Sequence, residues 1–425
     1  MTKVFKQIKS FGLVVISGGL IAVLLMGSVV PSQAAPAKEI VVGYRSGFTG
    51  PLASTLVPFT TGGIDCARYY NDYEGGINGI PIKFMWEDNH SEATKEISIH
   101  KRFVAAGAVL EISYMSGSAM YTVALQQRDE VPLVSVEIDE GTRTEPHWVW
   151  GVVPPWNSMH ATVIKWVKET WTETRPPKVG MVGINQPISY TAIEGIPEFC
   201  GRNSVEWVGY EIVPLFGCID TSVELLRLAA KKPDLVYVVV YGASLVTVMK
   251  DAARLELQEK GIRFVGSANS VDKVICDAAG WDSAEGWYVL RATPNAWEDE
   301  VAGVKATAMP KIRESGKRYR DREPEEIAEF YAGGWGCASV AFEGVRIALE
   351  KVGIEDLTGR AVRDGLFSIK DYETGFTPFR VTVTEDKPYF TDAFLLYRVQ
   401  QGKVTPAPEA PLMTMVLPIE LGTIL

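Results

Sequence analysis

The 425-residue chain is poor in the side chains that build metal and redox centres. Its four histidines, His90, His100, His147 and His160, include no H-E-x-x-H arrangement. Its five cysteines form no C-x-x-C and no spacing suited to zinc. No nucleophile elbow, phosphate-binding P-loop or paired-carboxylate motif can be placed. Gly334-x-Gly336 lacks the strand that precedes a dinucleotide site, so it reads as close helix packing. Ser98-x-x-Lys101 and Ser270-x-x-Lys273 lack the companion motifs of penicillin-recognising enzymes. Neither a metal, a cofactor nor an enzymatic activity is expected. Basic residues are outnumbered, 42 against 52 acidic ones, for a net charge of -10. That balance provides no cationic footprint for nucleic acid. At 22% charged and 47% apolar residues the composition is that of a globular protein, which excludes disorder and coiled coil as whole-chain readings.

One long apolar run is present, at residues 11–30. Lys3, Lys6 and Lys9 precede it, and Ser32-x-Ala34 follows. This is the layout of a signal peptide, residues 1–34, cleaved after Ala34. The run is long enough for an uncleaved anchor as well. No other segment is long and apolar enough to span a bilayer. The expected product is exported to the periplasm, where disulfides are permitted.

The mature chain alternates strand and helix signals. Strand-like runs at residues 40–44, 82–86, 108–112 and 132–136 are interleaved with helical periodicity at 58–73, 92–106 and 117–128. The alternation restarts after Pro154-Pro155. It gives helices near 157–171, 222–231 and 244–259, and strands at 178–184, 204–212, 235–240 and 263–265. Such alternation predicts parallel strands with crossover helices. The last third differs, with a long helix inside 323–352 and two strands, 376–384 and 392–400, that read as an antiparallel pair. The expected fold is α/β, with two Rossmann-like lobes around parallel central sheets.

In this order the motifs resemble those of the branched-chain-amino-acid type of extracytoplasmic solute-binding proteins of ABC importers, which have the type I periplasmic-binding fold. Gly43 with Phe48-Thr49-Gly50-Pro51 is similar to the family's first strand and loop. Asn71 with Gly75-Gly76-Ile77-Asn78-Gly79 resembles its GGINGR signature, with Ile80 in place of Arg and one extra spacer residue. Glu87-Asp88, Val131-Pro132-Leu133-Val134-Ser135 and Ala279-Gly280 with Ala284-Glu285-Gly286 extend the likeness across most of residues 38–403.

The resemblance implies a hinge and three crossovers. Lobe I would comprise 38–153 and 293–364, lobe II 154–292 and 365–403, with 404–425 a surface tail. It implies a small-molecule ligand (an amino acid, an amide, or an aromatic or cationic solute) held between the lobes. A monomer would deliver it to an ABC permease in the membrane; nucleic acid is not a partner. A sensory module of the same fold is the alternative, a secreted α/β enzyme a remoter one.

Residue by residue, Ser116 falls on the helix start that holds a ligand carboxylate, Ile138-Asp139 on a second lobe I loop, and Tyr190 on the opening of a lobe II helix. Tyr241 lies near the aromatic after the central strand. Asp139 stands where amino-acid binders carry Thr, and Ala268 where they often carry an acid, so an ordinary leucine-like ligand is not implied. Aromatics crowd these loops: Trp86, Tyr114, Tyr121 and Trp156. By the family fold Cys66 and Cys337 sit on helices flanking lobe I; whether they pair, or Cys200 with Cys218, is left open.

Overall fold

The computed structural model describes residues 38–416 apart from 51, 115, 139–141, 143, 269, 302, 378–379, 392 and 410–411. Residues 1–34, expected from the sequence to be a signal peptide, and the end of the tail lie outside the described residues. The first lobe opens with β1 (Ile40–Ser46), α1 (Ala53–Tyr69), β2 (Ile82–Asp88), α2 (Glu96–Ala105), β3 (Leu110–Ser113), α3 (Ser116–Asp129), β4 (Leu133–Glu137) and β5 (Val149–Val153). Its strands are all parallel, in the order β2-β1-β3-β4-β5.

The second lobe begins at α4 (Trp156–Thr170) and continues through β6 (Lys178–Ile184), α5 (Pro187–Thr191), α6 (Ile196–Arg202) and β7 (Glu206–Val213). It then runs through α7 (Ser222–Ala229), β8 (Leu235–Val239), α8 (Gly242–Arg254), β9 (Arg263–Gly266), α9 (Lys273–Ala279), α10 (Trp281–Ala284) and β10 (Tyr288–Arg291). Its parallel strands run β7-β6-β8-β9-β10, the same winding order as in the first lobe.

The chain then returns through β11 (Glu300–Val301), β12 (Val304–Lys305), α11 (Met309–Arg320), α12 (Glu329–Val352), α13 (Gly359–Leu366), β13 (Tyr372–Glu373) and β14 (Arg380–Val381). It ends with β15 (Ala393–Gln400), β16 (Lys403–Pro406) and β17 (Leu412–Thr414). Trp335, Phe342, Leu366, Ile369, Phe376, Val381 and Phe390 all join the core that covers β1 and β3, so 365–390 belongs to the first lobe. The sequence reading placed that stretch in the second. It also paired 376–384 with 392–400, whereas β14 pairs with β13 and β15 pairs with β10. Both misreadings have one cause: strand-like alternation reports burial of one face, not the partner. The tail from 404 is likewise no loose surface strand, because β16 and β17 both pair with β15. The reading also passed over β5, a fully buried run beside Pro154-Pro155.

Glycine sets the two tightest features. Gly76 has φ +95°, and a Cβ there would lie 1.9 Å from the Ile80 carbonyl oxygen. Beside this turn the Asn71 amide brackets Ile82, donating to its carbonyl and accepting from its N–H, both at 2.8 Å. The Gly-Gly-Ile-Asn-Gly motif is thus a turn that fixes entry into β2. Where α1 crosses α12, Cβ atoms on Gly62 and Gly334 would lie 2.0 Å from the Tyr331 oxygen and 1.9 Å from the Phe59 oxygen. Only glycine allows the two backbones so close. Asp65, buried on α1, accepts from Arg320 of α11 at 2.6 Å and from the Tyr331 hydroxyl at 3.0 Å, which ties the returning helices to the first lobe. All five cysteines are free thiols; Cys66 and Cys337 share the first core without bonding. Among the described residues no helix is long and apolar enough to cross a membrane, and no cluster of His, Cys, Asp and Glu could hold a metal.

Candidate functional site

In a parallel sheet the loops at the carboxyl ends of the strands gather where the strand order reverses, and ligands bind there. Here both sheets turn those ends toward one cavity of about 280 Å³. The first lobe lines it with Leu52, Thr55 and Phe59 after β1, and with Tyr114, Gly117 and Tyr121 after β3. The second contributes Trp156, then Gln186 and Pro187 after β6, Phe216 after β7, Tyr241 after β8 and Ala268 after β9. Val153 and Thr293, on two of the connections between the lobes, complete the wall.

Packing behind the wall fixes several of these rings. Phe59 stacks on Tyr114 with centroids 3.5 Å apart, and Phe330 meets Tyr114 edge-on at 6.2 Å. Trp156 and Tyr241 meet edge-on at 6.0 Å. The Tyr241 hydroxyl donates to the Ala268 carbonyl at 3.2 Å and accepts from Ser267 at 2.9 Å. Its hydrogen-bonding capacity is largely taken up within the protein, so the ring is what Tyr241 offers the cavity.

Beneath α3 lies a buried charge cluster. Arg45, at the end of β1, pairs with Glu96 at 2.6 Å and Glu111 at 2.5 Å, and donates to Thr122 at 2.9 Å. His100 bridges Glu111 and Asp129, each at 2.9 Å. Burial pushes the Glu111 carboxyl up, but Arg45, His100 and Gln126 together hold it below the usual range. Glu96 is raised by its burial, which Arg45, Asn89 and Ser118 offset only in part and the neighbouring Glu111 reinforces. The cluster locks α2 and α3 to the central strands and so positions Gly117 and Tyr121. At the loop after β1, burial raises the Asp88 carboxyl, but the His90 and Thr49 N–H groups and the Thr49 hydroxyl bring it below its usual value.

At the crossover between lobes, Arg291 of β10 pairs with Glu329 of α12 at 2.7 Å with both side chains buried. Burial pushes Glu329 up to about 8, with Asp272 and Glu298 adding to the rise and Arg291 opposing it. A second connection is held by the Thr391 hydroxyl, which donates to the Val152 carbonyl at 2.8 Å.

The seven residues singled out from the sequence do not form one group. Tyr114 and Tyr241 line the cavity. Ser116 opens α3 beside the lining residue Gly117; its side chain, and Asp139 entirely, lie outside the described part. Tyr190 is 47% exposed on α5 and lines a shallower depression that shares Gln186 and Pro187 with the cavity. Ile138 sits in a small core cluster with Leu133 and Tyr389. Trp86 lies on the edge strand β2, tilted against Phe48 at 4.5 Å and away from the cavity lining. The sequence reading missed Phe59, Phe216, Phe376, Gln186 and Thr293. Phe59 falls in an apolar helical stripe that reads as core. Phe216 did carry a signal: a large ring in a turn just beyond a strand's carboxyl end.

Residues 39–403 match the family described as periplasmic binding protein, and the chain belongs to that family. No curated protein sequence matches it. Among solved structures it is similar to a branched-chain amino acid ABC transporter protein from Thermus thermophilus with bound valine. The TM-score is 0.78 at 16% identity, over 90% of this chain and 98% of that one. A substrate-binding protein of an ABC transporter from Aeropyrum pernix gives 0.76 at 14% identity, over 91% and 99%. A solute-binding protein from Rhodopseudomonas palustris BisB5, in complex with 3,4-dihydroxybenzoic acid, gives 0.69 at 17% identity, over 89% and 96%.

Proposed function

We propose that this chain is the extracytoplasmic solute-binding component of an ABC importer. It captures one small solute, of the size of an amino acid or a single-ring acid, and hands it to a membrane permease. The observation that carries this reading is the cavity lined from both lobes at the carboxyl ends of two matching sheets. A solute there gains contacts with both lobes only when they close, so it shifts the population toward the closed form that a permease would engage. The solved relatives that hold valine and 3,4-dihydroxybenzoic acid support a solute of this size. The proposed contacts are Tyr114, the Ser116-Gly117 turn and Asp139 from the first lobe and Tyr241 from the second, with Tyr190 at the rim. The sequence at 1–34 supports export with cleavage after Ala34, and the released protein acts as a monomer.

Native mass spectrometry of the mature chain, incubated with an extract of small molecules, tests the proposal. The expected result is one adduct per chain, released chemically unchanged on denaturation. A released molecule altered from the one supplied would point to an enzyme instead, and no adduct from any extract would contradict a binding role.

A further inference from the structure

We infer that Arg291 and Glu329 form a proton-linked latch between the lobes: a proton from solvent settles on the Glu329 carboxylate when the lobes come together around the cavity, and returns to solvent when they part. The inference rests on the reading of two lobes that close on a solute. The pair joins the lobes at one of their connections. Arg291 ends β10 in the second sheet, while Glu329 opens α12, whose next residues Phe330, Tyr331 and Trp335 belong to the first core. It stands directly behind the cavity wall. Ala292 and Thr293, which follow Arg291, line the cavity, and so does Gly333, one turn beyond Glu329.

The charges around Glu329 do not balance. It is faced by one cation, Arg291, and by two further acids, Asp272 and Glu298. Those two acids have hydrogen bonds that hold their charge. Asp272 caps α9 by accepting from the Ile275 N–H at 2.9 Å, although burial raises its carboxyl too. Glu298 accepts from the Asn295 N–H at 2.7 Å and from the Tyr397 hydroxyl at 2.5 Å, and the Tyr397 ring lies against Arg291. Arg291 gives its other donors to the Asn295 side chain at 2.6 Å and the Val271 carbonyl at 3.1 Å. Glu329 is different. The Arg291 Nε lies 2.7 Å from its Oε2, but neither of its oxygens accepts a hydrogen bond, and its side chain is 2% exposed. A buried carboxylate so poorly satisfied takes a proton rather than keep its charge. The rise to about 8 described above agrees with this.

Within this cluster only Glu329 comes from the first lobe. Parting the lobes would carry it into water, where its carboxyl returns to an ordinary value of 4.5. The arrangement that binds the proton more tightly is the one that acid favours. Lowering the pH from about 9 to about 6 should therefore shift the equilibrium toward the joined lobes, by on the order of 100-fold if the carboxyl is fully hydrated when they part.

Small-angle X-ray scattering of the mature chain without solute, from about pH 6 to about pH 9, reads the arrangement of the lobes. The radius of gyration of the parent should rise across this range. Glu329→Gln keeps the shape of the protonated acid and cannot ionise, so it should stay at the compact value throughout; any change that remains belongs to other titrating groups. Asp272→Asn keeps a residue that caps helices well but removes one of the charges that raise Glu329, so its rise should move to lower pH. A parent radius that does not change with pH would overturn the inference. So would the same rise in Glu329→Gln, or a rise in Asp272→Asn at the parent's pH. If Glu329→Gln fails to fold, the parent and Asp272→Asn decide between these outcomes. Each overturning result would leave the cleft a solute site, which the adduct experiment above decides separately.

Discussion

Gly334→Ala adds one methyl group where α12 crosses α1, and the structure fixes its cost. The new Cβ would lie 1.9 Å from the Phe59 carbonyl oxygen, 2.7 Å from its carbon and 3.0 Å from its Cα. These are backbone atoms in the middle of a helix, so no side chain can swing aside and the two helices must separate. Overpacking of this kind costs about 1–3 kcal/mol, and a rigid backbone neighbour places it at the upper end. For a chain of this length about 3 kcal/mol lowers the melting temperature by about 4 °C. Helix propensity argues the other way, since alanine is favoured over glycine by up to ~1 kcal/mol in a helix. The sign of the effect therefore separates close packing from propensity. Gly201→Ala in α6 is the control, because nothing lies within 4 Å of a Cβ there. It should leave stability unchanged or raise it by about 0.5–1 kcal/mol. Phe59 also stacks on Tyr114 in the cavity wall, so Gly334→Ala should weaken solute binding as well. Thermal denaturation followed by circular dichroism measures both variants. A Gly334→Ala protein as stable as the parent, or more so, would refute the reasoning.

Three further outcomes follow from the buried groups. Glu111→Ala leaves Arg45 and His100 without their shared carboxylate and should cost about 3–5 kcal/mol in urea denaturation. Burial lowers the His160 imidazole from 6.5 to about 4, with the ring stacked on Tyr237. The folded state thus holds it neutral, so its contribution is complete above pH about 6.5 and is lost as pH falls toward about 4. His160→Gln should flatten that part of the stability profile. A thiol reagent should label Cys218, the one partly exposed cysteine, in the folded protein. It should label all five thiols after denaturation without reductant; burial pushes Cys200 and Cys276 up to about 12 and keeps them unreactive until then.

The two β-α series were legible in the sequence because each strand is a short apolar run and each helix has a clear buried stripe. The strand at 178–184 and the helix near 157–171 were read almost to the residue. Connectivity late in the chain was not legible. Phe376 and Phe394 look alike in sequence, yet the first packs into one lobe and the second into the other. For the cavity, Tyr114 and Tyr241 were visible as rings just beyond strands. Trp86 carries the same signature, but its edge strand keeps it outside the lining. Phe59 was invisible because the helix face it occupies is apolar throughout, and only the crossing with α12 shows that its ring reaches the cavity.

Hydrogen–deuterium exchange of the mature chain, with and without a dialysed extract of small solutes, tests the central claim most directly. If the solute sits between the lobes, protection should rise together in peptides covering 114–121 of the first lobe and 214–217 and 241–245 of the second. Protection confined to one lobe, or centred away from these loops, would contradict the assignment of the cleft as the binding site.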